Sequence, residues 1–152
     1  MRGFTMIELL IVVALIAVAA GVVTLSVRDP AANQLDHEGM RLATLLEAAR
    51  AESRGMAVPV RFALGPGSGG SSDVAFRFEG LPLSTQLATR WLDPEVQAEI
   101  VGAKQLTLGP EPLIGAQRIV LRLHGRSLTL ATDGLAPFAP LDEALAASGA
   151  AP

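Results

Sequence analysis

The sequence predicts an α+β fold: one long N-terminal helix followed by an antiparallel β-sheet or β-sandwich domain. Three observations predict it. Leu9 to Val27 is an uncharged run of 19 residues. Leu35, Leu42, Leu45, Leu46 and Ala49 then recur at helical spacing. Beyond residue 56 the apolar residues alternate in short stretches separated by turn residues. A chain of 152 residues with a net charge of −3 fits one globular domain behind an apolar segment, and carries no basic stripe of the kind nucleic acid requires. It has no cysteine, so no disulfide supports the fold.

The elements follow in order. Residues 4–27 are long enough to cross a hydrocarbon core of about 30 Å as a helix. Arg28-Asp29-Pro30 interrupts the run, and proline disfavours helix at the residue before it, so a kink near 28–30 is expected. Residues 28–55 read as an amphipathic half, with Glu38, Arg41, Glu47, Arg50 and Glu52 mostly on other faces than the leucines. Gly55 is the expected C-cap. Phe4 to Arg54 as one helix would reach about 75 Å. The leucine stripe is read as core packing against the domain that follows.

Residues 56–152 read as the β domain. Val58 to Leu64 and Val74 to Phe78 alternate on either side of GPGSGGSS, a loop by composition. Leu87 to Leu92, with Trp91, is a third strand, and Lys104 to Leu108 a fourth, closed by Gly109-Pro110-Glu111-Pro112. Arg118 to Leu123 and Arg126 to Leu130 flank His124-Gly125 as a hairpin. Asp133-Gly134 marks a turn before a last strand, Leu135 to Phe138. Asp142 to Pro152 is a short helix or a loose tail. Short loops between consecutive strands imply antiparallel pairing.

The N-terminus admits three readings. Met1-Arg2, an apolar stretch from Ile7 to Ile16, and Ala17-Val18-Ala19 resemble a secretory signal peptide. Against this, the apolar run continues past the cut through Gly21-Val22-Val23. Thr5-Met6-Ile7-Glu8 also fits a capping box, with Phe4 and Leu9 as a hydrophobic staple. A first-turn carboxylate gains about 0.3–1 kcal/mol from the helix dipole. Neither reading explains a three-residue leader ending in glycine.

The stretch Gly3-Phe4-Thr5-Met6-Ile7-Glu8-Leu9, followed by an apolar run at the very start of the chain, resembles the signature of type IV pilins and type II secretion pseudopilins. The resemblance implies a leader at 1–3, cleavage by a prepilin peptidase between Gly3 and Phe4, N-methylation of Phe4, and retention of the apolar helix in the inner membrane with the remainder in the periplasm. It implies an assembly role for Glu8, with Thr5 beside it: Glu8 would pair with the amine of Phe4 in a neighbouring subunit. A lone charge inside a membrane costs at least about 2.5–3.5 kcal/mol at mid-helix, and a pair relieves both partners.

Later blocks, Leu42 to Pro59, Phe78 to Pro82, Thr89 to Leu92, Leu108 to Gly115 and Ala131 to Phe138, resemble minor pseudopilin H of type II secretion. That resemblance implies partnership with the I, J and K minor pseudopilins and the major pseudopilin at the tip of a periplasmic pseudopilus. The alternative is a minor pilin of a type IV pilus that binds DNA or a surface. No nucleic-acid partner is expected from the charge pattern, although Arg54, Arg61, Arg77, Arg90, Arg118, Arg122 and Arg126 are scattered along the domain.

No constellation for catalysis, cofactor or metal emerges. His37 and His124 lie far apart without cysteine, and His37 sits between Asp36 and Glu38, as on a solvated helix face. Ser68 to Ser72 has no nucleophile elbow, and the Gly65 to Gly70 stretch has no P-loop lysine. Asp133 stands nearly alone, against a calcium loop. Asp93-Pro94-Glu95 reads as a turn, and Trp91 as core.

Overall fold

The computed structural model describes residues 5–25, 30–65 and 73–141, with the side chains of 19–25 set aside. The leader at 1–3, Phe4, residues 28–29 of the kink expected near 28–30, most of the Gly/Ser loop and the tail from 142 lie outside the described residues. The fold is α+β, with N-terminal helix followed by antiparallel sheets, and it divides into two units, residues 1–30 and 31–152.

The first unit is α1 (Met6–Leu25). Every described side chain from Thr5 to Val18 is exposed, Ile7, Leu10 and Leu15 each by more than 60%. Among the described residues, none buries this apolar surface. Among the described residues no helix is long and apolar enough to cross a membrane. The described side chains of α1 stop at Val18, short of a span, while its backbone runs on to Leu25.

The second unit is built on α2 (Pro30–Met56), which starts on a proline, the residue whose missing N–H and fixed φ suit a first helical position. Its buried face is Ala31, Leu35, Glu38, Gly39, Leu42, Leu46, Ala49, Arg50 and Ser53, at steps of three and four. The aliphatic members are as expected. Glu38 and Arg50 are not: both are about 1% exposed and lie on the packed face instead of in water.

Two sheets accompany the helix. In the first, β1 (Arg61–Leu64) lies between β2 (Phe76–Glu79) and β4 (Gln105–Thr107), both antiparallel. Phe62 faces Phe78 on one side and Leu106 on the other. The rings of Phe62, Phe76 and Phe78 cluster with centroids 5.3–6.2 Å apart, and Trp91 packs on Phe76 at 4.5 Å with the rings tilted by 49°, which puts it against the core as expected. In the second sheet the order is β3 (Gln97–Ile100), β5 (Gln117–Leu123), β6 (Arg126–Thr132), β7 (Ala139–Pro140). Ile119, Leu121 and Leu123 point into the core, while Arg118 and Arg122 alternate outward. His124 and Gly125 both have positive φ, 47° and 78°, the two-residue turn whose twist suits a hairpin.

Four sequence expectations are corrected. Residues 87–92 form no strand. One carbonyl, that of Thr89, accepts the N–H groups of both Ala75 and Phe76, and the Leu92 N–H is taken by the Glu38 carboxylate at 2.7 Å, so no ladder continues. The strand that exists in this region is β3, at 97–100. Residues 135–138 are no strand either, because carboxylates take their donors: Asp133 Oδ1 accepts from Leu135 and Ala136, and Glu47 Oε1 from Phe138. Pairing resumes only at Ala139–Pro140. The strand expected from Val58 begins at Arg61. Finally, Gly55 does not cap α2. The helix reaches Met56, and Ala57 adopts φ 53°. Its N–H donates to Arg54 O, and that of Val58 to Ser53 O, the two reverse bonds of a Schellman ending with alanine in the left-handed position.

Candidate functional site

Thr5 and Glu8 are the two expected assembly residues within the described part. Thr5 precedes α1, and its carbonyl accepts the N–H groups of Glu8 and Leu9 at 3.1 and 3.2 Å. Thr5 is thus the N-cap residue, and Glu8 lies in the first turn, where the dipole favours a carboxylate. Glu8 is exposed, the one acidic group on a helix whose other described side chains near it are apolar. A carboxylate in such a setting needs either water or a cation from outside the chain. Gly3 and Phe4, the residues of the expected cleavage and methylation, lie outside the described residues.

Four of the five later sequence blocks come together around two charged groups of α2. Arg50 is buried and reaches three of them. Its Nη2 donates to Gly134 O at 2.7 Å, Pro112 O at 3.3 Å and Leu135 O at 3.4 Å, and its Nη1 donates to Ala136 O at 3.2 Å. Glu47 lies 3.6 Å from the same guanidinium and binds Phe138 N–H. Residues 42–59, 108–115 and 131–138 therefore meet on one side chain. Gly134 is required at this junction: its φ is 98°, and a Cβ there would lie 2.7 Å from the backbone of Gly115.

Glu38 gathers one of the two remaining blocks, 89–92. It accepts from Leu92 N–H and pairs with Arg41 at 2.7 Å, while Arg41 donates to Arg90 O. Both carboxylate oxygens of Glu38 are engaged, which is what its burial demands. These charged groups hold loops. Sequence reasoning missed Glu38 and Arg50 because helical spacing marks apolar faces and says nothing about a charge that finds backbone partners.

Asp133 caps its own loop. Its ionised oxygen accepts from Ala136 and Leu135 N–H, which together hold its pKa below the ordinary value despite a small opposing effect of burial. Asp93 acts likewise in its turn, accepting Glu95 N–H at 2.8 Å. His37 is exposed, and His124 Nδ1 lies 3.3 Å from Glu95 Oε2 at the surface. Among the described residues no three metal-ligating side chains gather.

Several arginines of the scattered set are neutralised locally: Arg77 by Glu79, Arg90 by Asp73 and Arg122 by Glu99, at 2.8–3.2 Å. Of these pairs, Arg122–Glu99 lies on the second sheet, joining β5 to β3.

The family pattern described as the prokaryotic N-terminal methylation motif matches residues 1–24. The motif supports a type IV pilin-like or pseudopilin protein and a membrane-anchored chain, and it covers the stretch that contains Gly3, Phe4, Thr5 and Glu8. No curated protein and no solved structure matches the chain significantly.

Proposed function

We propose that the chain is a minor pseudopilin of a type II secretion system, of the H type, which joins other pseudopilins at the tip of the periplasmic pseudopilus and serves assembly, not catalysis. The observation that carries this reading is the prepilin-type motif at the start of the chain, ahead of a helix whose apolar side chains the chain leaves exposed. Cleavage between Gly3 and Phe4 leaves a new amine at Phe4 close in sequence to Glu8, four residues on. The inner membrane would cover the apolar face, and the amine of a neighbouring subunit would neutralise Glu8.

The H-type assignment rests on the later blocks. Three of them converge on Arg50 and one on Glu38, so they read as a scaffold for two loops. The pairing of Arg77, Arg90 and Arg122 with acids removes three of the seven scattered arginines as free phosphate ligands, which weighs against a DNA-binding minor pilin. The mass of the mature N-terminus tests the proposal. Loss of residues 1–3 with gain of one methyl group is expected, and a chain beginning at Ala20 would refute it. Co-purification with three further minor pseudopilins tests the subtype. Salt-dependent DNA binding by the chain would favour the pilus alternative.

A further inference from the structure

The loops before β5 and after β6 form the other surface with an unusual make-up. Leu113 and Leu135 are 67% and 69% exposed, beside exposed Pro112, Ala136 and Pro137. The two loops lie side by side. Pro112 O and Leu135 O share one guanidinium nitrogen of Arg50, and Ile114 N–H donates to Gly134 O at 3.3 Å. They are also stiff. Thr132 Oγ1 donates to Ala136 O at 2.6 Å and accepts from Gly134 N–H, while Asp133 and Glu47 take three further N–H groups. Folding has therefore fixed the backbone that carries two large exposed apolar side chains, in part by means of a buried cation. A pre-ordered apolar anchor loses little entropy when it binds.

Charge selects the occupant. Residues 109–116 and 133–140 contain two acids, Glu111 and Asp133, both exposed, and no base. An anionic lipid surface would repel them. We propose that Leu113 and Leu135 form an apolar knob that docks into an apolar cleft rimmed by Lys or Arg on a neighbouring subunit. This rests on the assembly reading and adds to it the chemistry of one contact.

The test places the photo-reactive residue p-benzoylphenylalanine separately at Leu113, at Leu135 and, as a control, at the fully exposed Leu83 of the full-length chain in its native cells. After irradiation the adducts are identified by mass spectrometry. The expected result is an adduct from 113 and 135, not from 83, to another chain with an N-terminal methylation motif, at a peptide carrying Lys or Arg among apolar residues. Leu113→Ala should cut the yield from position 135 by about tenfold, and Glu111→Lys should cut it several-fold. No adduct, equal yield from Leu83, adducts to lipid or to residues 142–152 of the same chain, or indifference to Glu111→Lys would each overturn the inference. The N-terminal mass is read on the same sample. A processed chain without the adduct overturns this inference alone, and an unprocessed chain overturns the assembly reading with it.

Discussion

At the scale of the residue, charged groups decide where the backbone of the second unit runs. Arg50 serves four carbonyls from two loops, sharing Gly134 O with Ile114 N–H and Ala136 O with the Thr132 hydroxyl. Removing a buried charge with its partners left behind is costly, so Arg50→Met should lower stability by about 3 kcal/mol or more. Urea unfolding of the detergent-solubilised full chain measures this. An unchanged midpoint would mean that the carbonyls find water. Asp133 gives a pH dependence with a defined sign. Its folded pKa is depressed, so its contribution is complete above the ordinary carboxylate value of 3.8 and is lost as pH falls through the folded value. The stability gap between the natural chain and Asp133→Ala should therefore be constant near neutrality and close as pH drops below about 4. A gap that widened on acidification would contradict the assigned cause.

At the scale of the element, what the sequence disclosed depended on whether side chains or backbone partners fixed the outcome. The hairpin of β5 and β6 was legible, because alternation from Arg118 to Leu123 and the His-Gly turn both report on pleat and twist. The leucine face of α2 was legible for the same reason. The stretch 87–92 has strand-like composition, yet the Glu38 carboxylate takes the Leu92 N–H, and no local pattern announces a partner 54 residues away. β3, with sequence QAEI, has too little apolar alternation to be noticed; its pairing with β5 makes it a strand. The end of α2 shows a further mismatch. Glycine stands at 55, inside the helix with open space around it, while alanine stands at 57 in the left-handed region. Ala57→Gly should stabilise by about 1 kcal/mol by relieving the Cβ clash. Gly55→Ala should add about 0.5–1 kcal/mol by reducing the freedom of the unfolded chain. Thermal or urea unfolding checks both, and the swapped pair should be nearly additive only if the cap geometry is retained.

At the scale of the whole molecule, the two units solve opposite problems. The described part of residues 31–152 encloses a core, with Leu42, Leu46, Phe62, Leu108 and Leu121 fully buried. Residues 5–18 enclose none of their apolar side chains. The described apolar side chains of the N-terminal unit call for a cover from outside it, which the motif at 1–24 suggests is a membrane and which the proposed assembly would extend to neighbouring subunits. Glu8 separates these two demands. A membrane alone would be served better by any neutral residue, since a carboxylate among apolar side chains is costly to desolvate. Pairing with a neighbour's amine needs the charge. Glu8→Gln keeps size and hydrogen-bonding capacity and removes only that charge, so it should leave leader removal and membrane insertion unchanged. Incorporation into the assembly should fall by at least about tenfold, the equivalent of a lost ion pair worth roughly 1.4 kcal/mol. Fractionation reports the first and co-purification with the other subunits the second. Normal co-assembly of Glu8→Gln would leave the carboxylate with only its helix-capping role in the first turn of α1, and the register between subunits would have to come from the second unit instead.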